Sequence, residues 1–192
     1  VSTALPDELT VGSLNLERFF DAVENGGGAT LTPEAFETRL KKASLAIRTL
    51  LRSPDVLAVV EVEDLATLRT LATRISTDAL ASRAADPAYR PFLEEGNDVG
   101  GIDVGFLVAA RVGVLSVVQE GKDATYVDPT TGSAATLNDR PPLVLTARVA
   151  AGPDGTDAPF TVVVSHLRSL IGVAEDSSAG RRAPARPCSR GD

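Results

Sequence analysis

Apolar positions run along this chain first in a helical rhythm and later in a strand rhythm. Phe36, Leu40, Ala43, Ile47, Leu50 and Leu51 recur at helical spacing, while Arg39, Lys41, Lys42 and Arg48 fall mainly between them. Thr32 before Pro33 and Glu34 is a start signal: a hydroxyl to cap, a proline at the first helical position and an acid in the first turn. The pattern predicts an amphipathic helix laid on a sheet. Pro54 stops it, and "SPDVLAVVEVED" (53–64) follows with an unbroken apolar run, as in a strand covered on both faces. That run closes on Glu61, Glu63 and Asp64, the last two read as cap and solvated face. Asp64 can cap a second helix that gathers Leu65, Leu68, Leu71, Ala72 and Ile75 on one side.

Upstream, "LTVGSLNLERFF" (9–20) reads as a strand entering a loop, with Asn15 near its end, and "VENGGGATLTP" (23–33) as a glycine-rich loop. Residues 81–101 read as a polar surface loop with short helical turns. Further strands are predicted at 102–109, 112–118, 143–150 and 160–165, joined by the loops 129–142 and 151–159. Helices early and hairpin-like strands late predict a mixed α/β sandwich without internal repeats. Residues 175–192, rich in Arg, Pro, Ala, Gly and Ser, lack any apolar period and are expected to be a disordered tail beyond a domain spanning 1–174.

Composition narrows the function. The 192 residues suffice for one domain with a substantial core. A net charge of −7 argues against holding nucleic acid by a broad basic surface, but not against meeting phosphate in a small cleft where a cation supplies the positive charge. The single cysteine, Cys188, forbids an intramolecular disulfide and a cysteine-built metal cluster. No uninterrupted apolar stretch is long enough for a membrane span, and no membrane partner is expected. The first residue, Val1, is not methionine, so a removed leader or missing upstream sequence is expected; the compartment stays open, a secreted bacterial protein being one reading.

The candidate chemistry lies where polar groups emerge from apolar strands: Asn15 after "TVGSL", Glu61 after "VLAVV", Asp103 in "GGIDVGFLV", Arg140 before "PPLVL", and His166, the sole histidine, after "FTVVVS". A carboxylate inside a strand is costly to desolvate unless a cation or hydrogen bonds compensate. Several such groups at strand ends predict one shared cleft. Glu61 and Asn15 offer hard oxygens suited to Mg²⁺, with Mn²⁺ or Ca²⁺ as alternatives. Arg140 offers a planar fork for phosphate oxygens. His166 can give a hydrogen bond or proton to a phosphoryl oxygen near neutrality. Together they point to metal-assisted phosphoester hydrolysis.

Five blocks, in order, carry a resemblance: "VGSLNLERFFD" (11–21), "PDVLAVVEVED" (54–64), "GGIDVGFLV" (100–108), "LNDRPPLVL" (137–145) and "FTVVVSHLRSL" (160–170). They resemble the endonuclease/exonuclease/phosphatase superfamily, the DNase I-like fold, and their wording looks like its bacterial, often secreted, nuclease branch. The resemblance implies a four-layer α/β sandwich, incomplete at its C-terminal side, and a divalent-metal phosphodiesterase acting on nucleic acid. It implies Glu61 as metal ligand, Asn15 as organiser of metal and phosphate, Arg140 beside the phosphate and His166 on the scissile phosphate. It also implies an aspartate–X–asparagine pair and a terminal aspartate–histidine pair beyond His166. Neither has a counterpart here, so a partial domain with little or no turnover is expected. The same fold also serves phosphatases and sphingomyelinases, and an inactive fragment or binding module is a further alternative. Exposed sheet edges would favour self-association.

Overall fold

The computed structural model describes residues 8–24, 29–129, 131–151 and 156–167. The expected tail at 175–192 and part of the glycine-rich loop lie outside these residues. The element order is β1 (Val11–Phe19), α1 (Pro33–Thr49), β2 (Val56–Val62), α2 (Leu65–Ala81), β3 (Arg90–Leu93), β4 (Asp103–Val108), β5 (Gly113–Gln119), β6 (Thr125–Val127), β7 (Ala134–Thr136), β8 (Leu143–Ala151) and β9 (Thr156–Val164).

Both helices start as the local chemistry dictates. Thr32 accepts a hydrogen bond from the Ala35 N–H at 3.2 Å, with Pro33 next in line. Asp64 accepts one from the Thr67 N–H at 2.7 Å. Glu63 departs from its expected solvated place. It is buried, and its carboxylate accepts the Asp21 N–H at 2.7 Å, tying the end of β2 to the segment after β1.

A four-stranded sheet of order β1-β2-β4-β3 forms the middle of the molecule. Its central strand β2 pairs in parallel with β1 and antiparallel with β4. The unbroken apolar run of β2 is explained by its two covered faces. Leu57, Val59 and Val62 pack with Leu40 and Ile47 of α1 and Leu68, Leu71 and Ile75 of α2. Val56 and Ala58 face the other way, with Val104 and Phe106, onto Leu143, Leu145 and Ala147 of a second sheet of order β5-β8-β9. Alternate residues of one strand therefore feed two cores. At Gly105 a Cβ would lie 2.8 Å from the Phe92 carbonyl and 3.0 Å from the Leu68 side chain, so the crossing of β3, β4 and α2 requires glycine.

The architecture is a mixed α/β sandwich. Among the described residues it has three layers: helices, four-stranded sheet, second sheet. The outer face of the second sheet carries Leu115, Val118 and Val163, about half exposed. The expected loops 81–101, 129–142 and 151–159 need correction; in the last, β8 runs to Ala151 and β9 already starts at Thr156, because the hairpin pairing continues to Ala151 opposite Thr156. The stretch 81–101 is not all loop: β3 adds to the sheet edge beside β4, where Pro91 is tolerated because only one side of the strand is hydrogen-bonded. The stretch 129–142 likewise contains β7, which closes a small hairpin with β6.

Candidate active site

Asn15 sits inside β1, not near its end, and directly before an irregularity. Asn15 pairs with Val60 and Phe19 with Val62, so Leu16, Glu17 and Arg18 stand opposite Glu61 alone. The β2–β4 ladder breaks at the same place, between Val60 and Val62. Glu61 is thus bulged out of both ladders, and a bulge re-aims a side chain. Its backbone is left-handed, with φ of 62°, and so are Glu17 and Arg18, each with φ of 56°. A non-glycine residue held there costs about 1 kcal/mol or more, which the surroundings must offset.

The distortion delivers hydrogen-bond donors to the carboxylate. Asn15 Nδ2 donates to Glu61 Oε1 at 2.9 Å, and the Arg18 N–H donates to Glu61 Oε2 at 3.0 Å. Asn15 is oriented in turn, because its Oδ1 accepts the Glu17 N–H at 2.7 Å.

The second sheet brings the other two residues. β8 and β9 are antiparallel, with Leu143 opposite Val164, so Arg140 before β8 and His166 after β9 emerge from the same end. Arg140 Nη1 lies 3.2 Å from His166 Nδ1, and His166 Nε2 lies 3.4 Å from Glu61 Oε1. The same Nη1 lies 3.5 Å from Nε2; arginine can only donate, so the ring nitrogen that accepts from it is unprotonated and the other carries the proton. Burial is the main cause holding the His166 pKa below its ordinary 6.5; Arg140 adds to this, while Glu61 and Asp98 oppose it.

Asn15, Glu61, Arg140 and His166, separated by up to 151 positions in sequence, form one continuous polar cluster. Its charges are neighboured by residues that sequence reasoning did not single out. Asp98 pairs with Arg140 Nε and also accepts the Gly100 N–H at 2.6 Å. The segment carrying Asp98 is fastened to both ends of the second sheet's loops: the Asn97 amide donates to the carbonyls of Lys122 at 2.8 Å and Asn138 at 3.0 Å. An arginine turned inward needs an anion beside it, but nothing in sequence spacing identifies which of several acids serves. Asp103 starts β4, buried, and accepts the Gly96 N–H at 2.8 Å. Burial holds its carboxyl above the usual range; it faces Glu95, which burial and Asp103 push up to about 7.

A cleft of about 330 Å³ opens beside the cluster, lined by Asn138, Arg140, His166, Leu137 and Leu167 among others. Among the described residues no group of three or more His, Cys, Asp or Glu side chains is placed to hold a metal. The donor set decides which ion could fit. Glu61 accepts one hydrogen bond on each oxygen, with His166 Nε2 a further neighbour 3.4 Å from Oε1, so Oε2 is the more open of the two. A single carboxylate completed by water and substrate phosphate suits Mg²⁺, whereas Zn²⁺ sites use three or four protein ligands, most of them His or Cys. Asn15 has its oxygen committed to Glu17 and meets Glu61 through nitrogen, which orients the carboxylate.

No family model matches the sequence, and no curated protein matches it. Among solved structures, the chain is similar to an endonuclease/exonuclease/phosphatase family protein from Bacteroides thetaiotaomicron, at 12% identity and a TM-score of 0.40. The match covers 81% of this chain and 50% of that one, so the chain spans half the length of that structure.

Proposed function

We propose that the cluster is a divalent-cation-assisted phosphoester hydrolysis site, with the phosphodiester of nucleic acid as substrate. One observation carries this reading: Glu61, placed on a strained double bulge, keeps acceptor capacity within 3.4 Å of a histidine that is itself backed by an arginine. Bound Mg²⁺ would supply Lewis-acid charge at a phosphoryl oxygen. Glu61 would hold it, with Asn15 and the Arg18 N–H fixing the carboxylate's direction. Arg140, held at Nε by Asp98 and at Nη1 by His166, would donate from Nη2 to a phosphate oxygen in the cleft. His166 would give a ring N–H to a second phosphate oxygen as charge builds during attack. Local cations thus admit an anionic substrate to an acidic protein.

The chain's one histidine already faces Glu61 and Arg140, so no second imidazole is there to take a proton from the attacking water. Slow turnover is expected. The test pairs Mn²⁺ calorimetry with plasmid nicking in Mg²⁺ or Mn²⁺, each compared with Glu61→Gln, plus hydrolysis of a phosphomonoester. Mn²⁺ binding that needs Glu61, with weak Glu61-dependent nicking, supports the reading. Binding unchanged by Glu61→Gln sinks it, and faster phosphomonoester hydrolysis would move the substrate class to phosphatases.

A further inference from the structure

Both hydrogen bonds that orient Glu61 trace back to one short piece of backbone. The Arg18 N–H reaches Glu61 Oε2 directly, and the Glu17 N–H holds the Asn15 amide that reaches Glu61 Oε1. Glu17 and Arg18 are the two consecutive left-handed residues of β1, in a stretch whose register with β2 is broken. Carbonyls in such a stretch lose their ladder partners and must find others.

They find Arg39. From helix α1, its guanidinium donates to the Arg18 carbonyl at 2.8 Å, to the Leu16 carbonyl at 3.1 Å and to the Glu17 carbonyl between them. The same group stands 5.7 Å from the centre of the Phe19 ring. A planar fork can serve three successive carbonyls at once; a lysine ammonium, compact and without a fork, cannot keep that geometry. Leu40 and Ile47, not Arg39, carry the burial of α1 against the sheet.

We propose that Arg39 is the positioning residue of this site: by gripping the carbonyls of Leu16, Glu17 and Arg18 it holds the left-handed pair, and through that pair it sets both oxygens of Glu61. The metal-binding part of this inference rests on the function proposed above; the backbone part does not. Arg39 touches neither cation nor substrate. It would couple the placement of helix α1 to the direction of the carboxylate.

Arg39→Met tests this, because it keeps an aliphatic stem over Phe19 and deletes the fork. Amide hydrogen exchange and Mn²⁺ calorimetry are run on the full chain. The expected result is a selective loss of protection at the Glu17 and Arg18 amides, with β2 and β4 amides unchanged, and Mn²⁺ affinity weakened about tenfold, as for other groups that orient a ligand. Arg39→Lys should restore less than half of that loss, and it carries the same readouts if the methionine variant does not fold. Wild-type protection at Glu17 and Arg18 in a folded Arg39→Met, or full restoration by lysine, overturns the proposal. If wild-type protein binds no Mn²⁺, the functional reading fails, and the two amides alone decide whether Arg39 holds the loop.

Discussion

Strand β2 carries a carboxylate at each end, and the two are treated differently. Asp55, just before β2, has its side chain 9% exposed and saturated: Oδ2 accepts the Thr10 N–H at 2.8 Å, the Thr10 hydroxyl at 2.7 Å and Arg111 Nη2 at 2.8 Å, while Oδ1 takes Arg111 Nε. Burial opposes ionisation there, but the Arg111 and Thr10 bonds outweigh it and hold the carboxyl below its ordinary range. Its flanking pairing, Val56 with Val11 and Val108, is regular. Glu61, at the far end, has two N–H partners, a strained backbone and a histidine within reach. A carboxylate accommodates about four donors. The filled one is a structural knot, and the half-filled one, maintained at a cost in backbone strain, can still take a ligand. Spare acceptor capacity separates the two ends better than burial or charge does.

The largest effect should separate the ends by function. Glu61→Gly should weaken Mn²⁺ binding by about a hundredfold or more. Its thermal stability should change by less than about 1 kcal/mol, because glycine relieves the left-handed strain while two hydrogen bonds are lost. A large fall in melting temperature would mean that Glu61 is as structural as Asp55. Asp55→Ala should do the reverse. It strands Arg111 and the Thr10 donors and should cost about 2–3 kcal/mol in a denaturant titration, with Mn²⁺ affinity unchanged.

Asn15→Ala should be milder. One oxygen of Glu61 keeps its Arg18 partner, and Mn²⁺ affinity should fall about tenfold by calorimetry. The smallest effect is a pH dependence. His166 has a folded pKa below 6.5, so between that value and 6.5 the unfolded chain binds more protons. The contribution of His166 is complete above pH 6.5 and is lost as pH falls through the folded value. NMR titration of the single imidazole should give a midpoint below 6.5. Urea titrations at pH 5 and 7.5 should show a slope that flattens in His166→Asn. A midpoint at or above 6.5 would mean that Glu61 and Asp98 outweigh burial and Arg140.

Much of the helical half was readable from local chemistry. Thr32–Pro33 and Asp64 announce α1 and α2 because a cap is a contact between residues three apart. The strip 90–93 was harder, since Arg90–Pro91 reads as a breaker and becomes a strand only through its pairing with β4. The short β6–β7 hairpin, mostly exposed, offers no apolar alternation to detect. At the site, the sequence singles out Asn15, Glu61, Arg140 and His166 as polar groups on apolar strands, yet gives no sign of Arg39 or Asp98. Arg39 looks like any cation on the polar side of an amphipathic helix.

The sequence by itself determined which segments become helices and which long strands, because capping, apolar period and continuous apolar runs act over a few residues. It also singled out Asn15, Glu61, Arg140 and His166 as polar groups at apolar strands. Only the tertiary structure decided that Glu61 would be unpaired in both of its ladders, that three carbonyls of β1 would be handed to Arg39, and that Asp98 would be the partner of Arg140. Those choices depend on register between strands and on which helix face meets which loop. Register and docking are set by the sum of many distant contacts and leave no mark at the positions concerned.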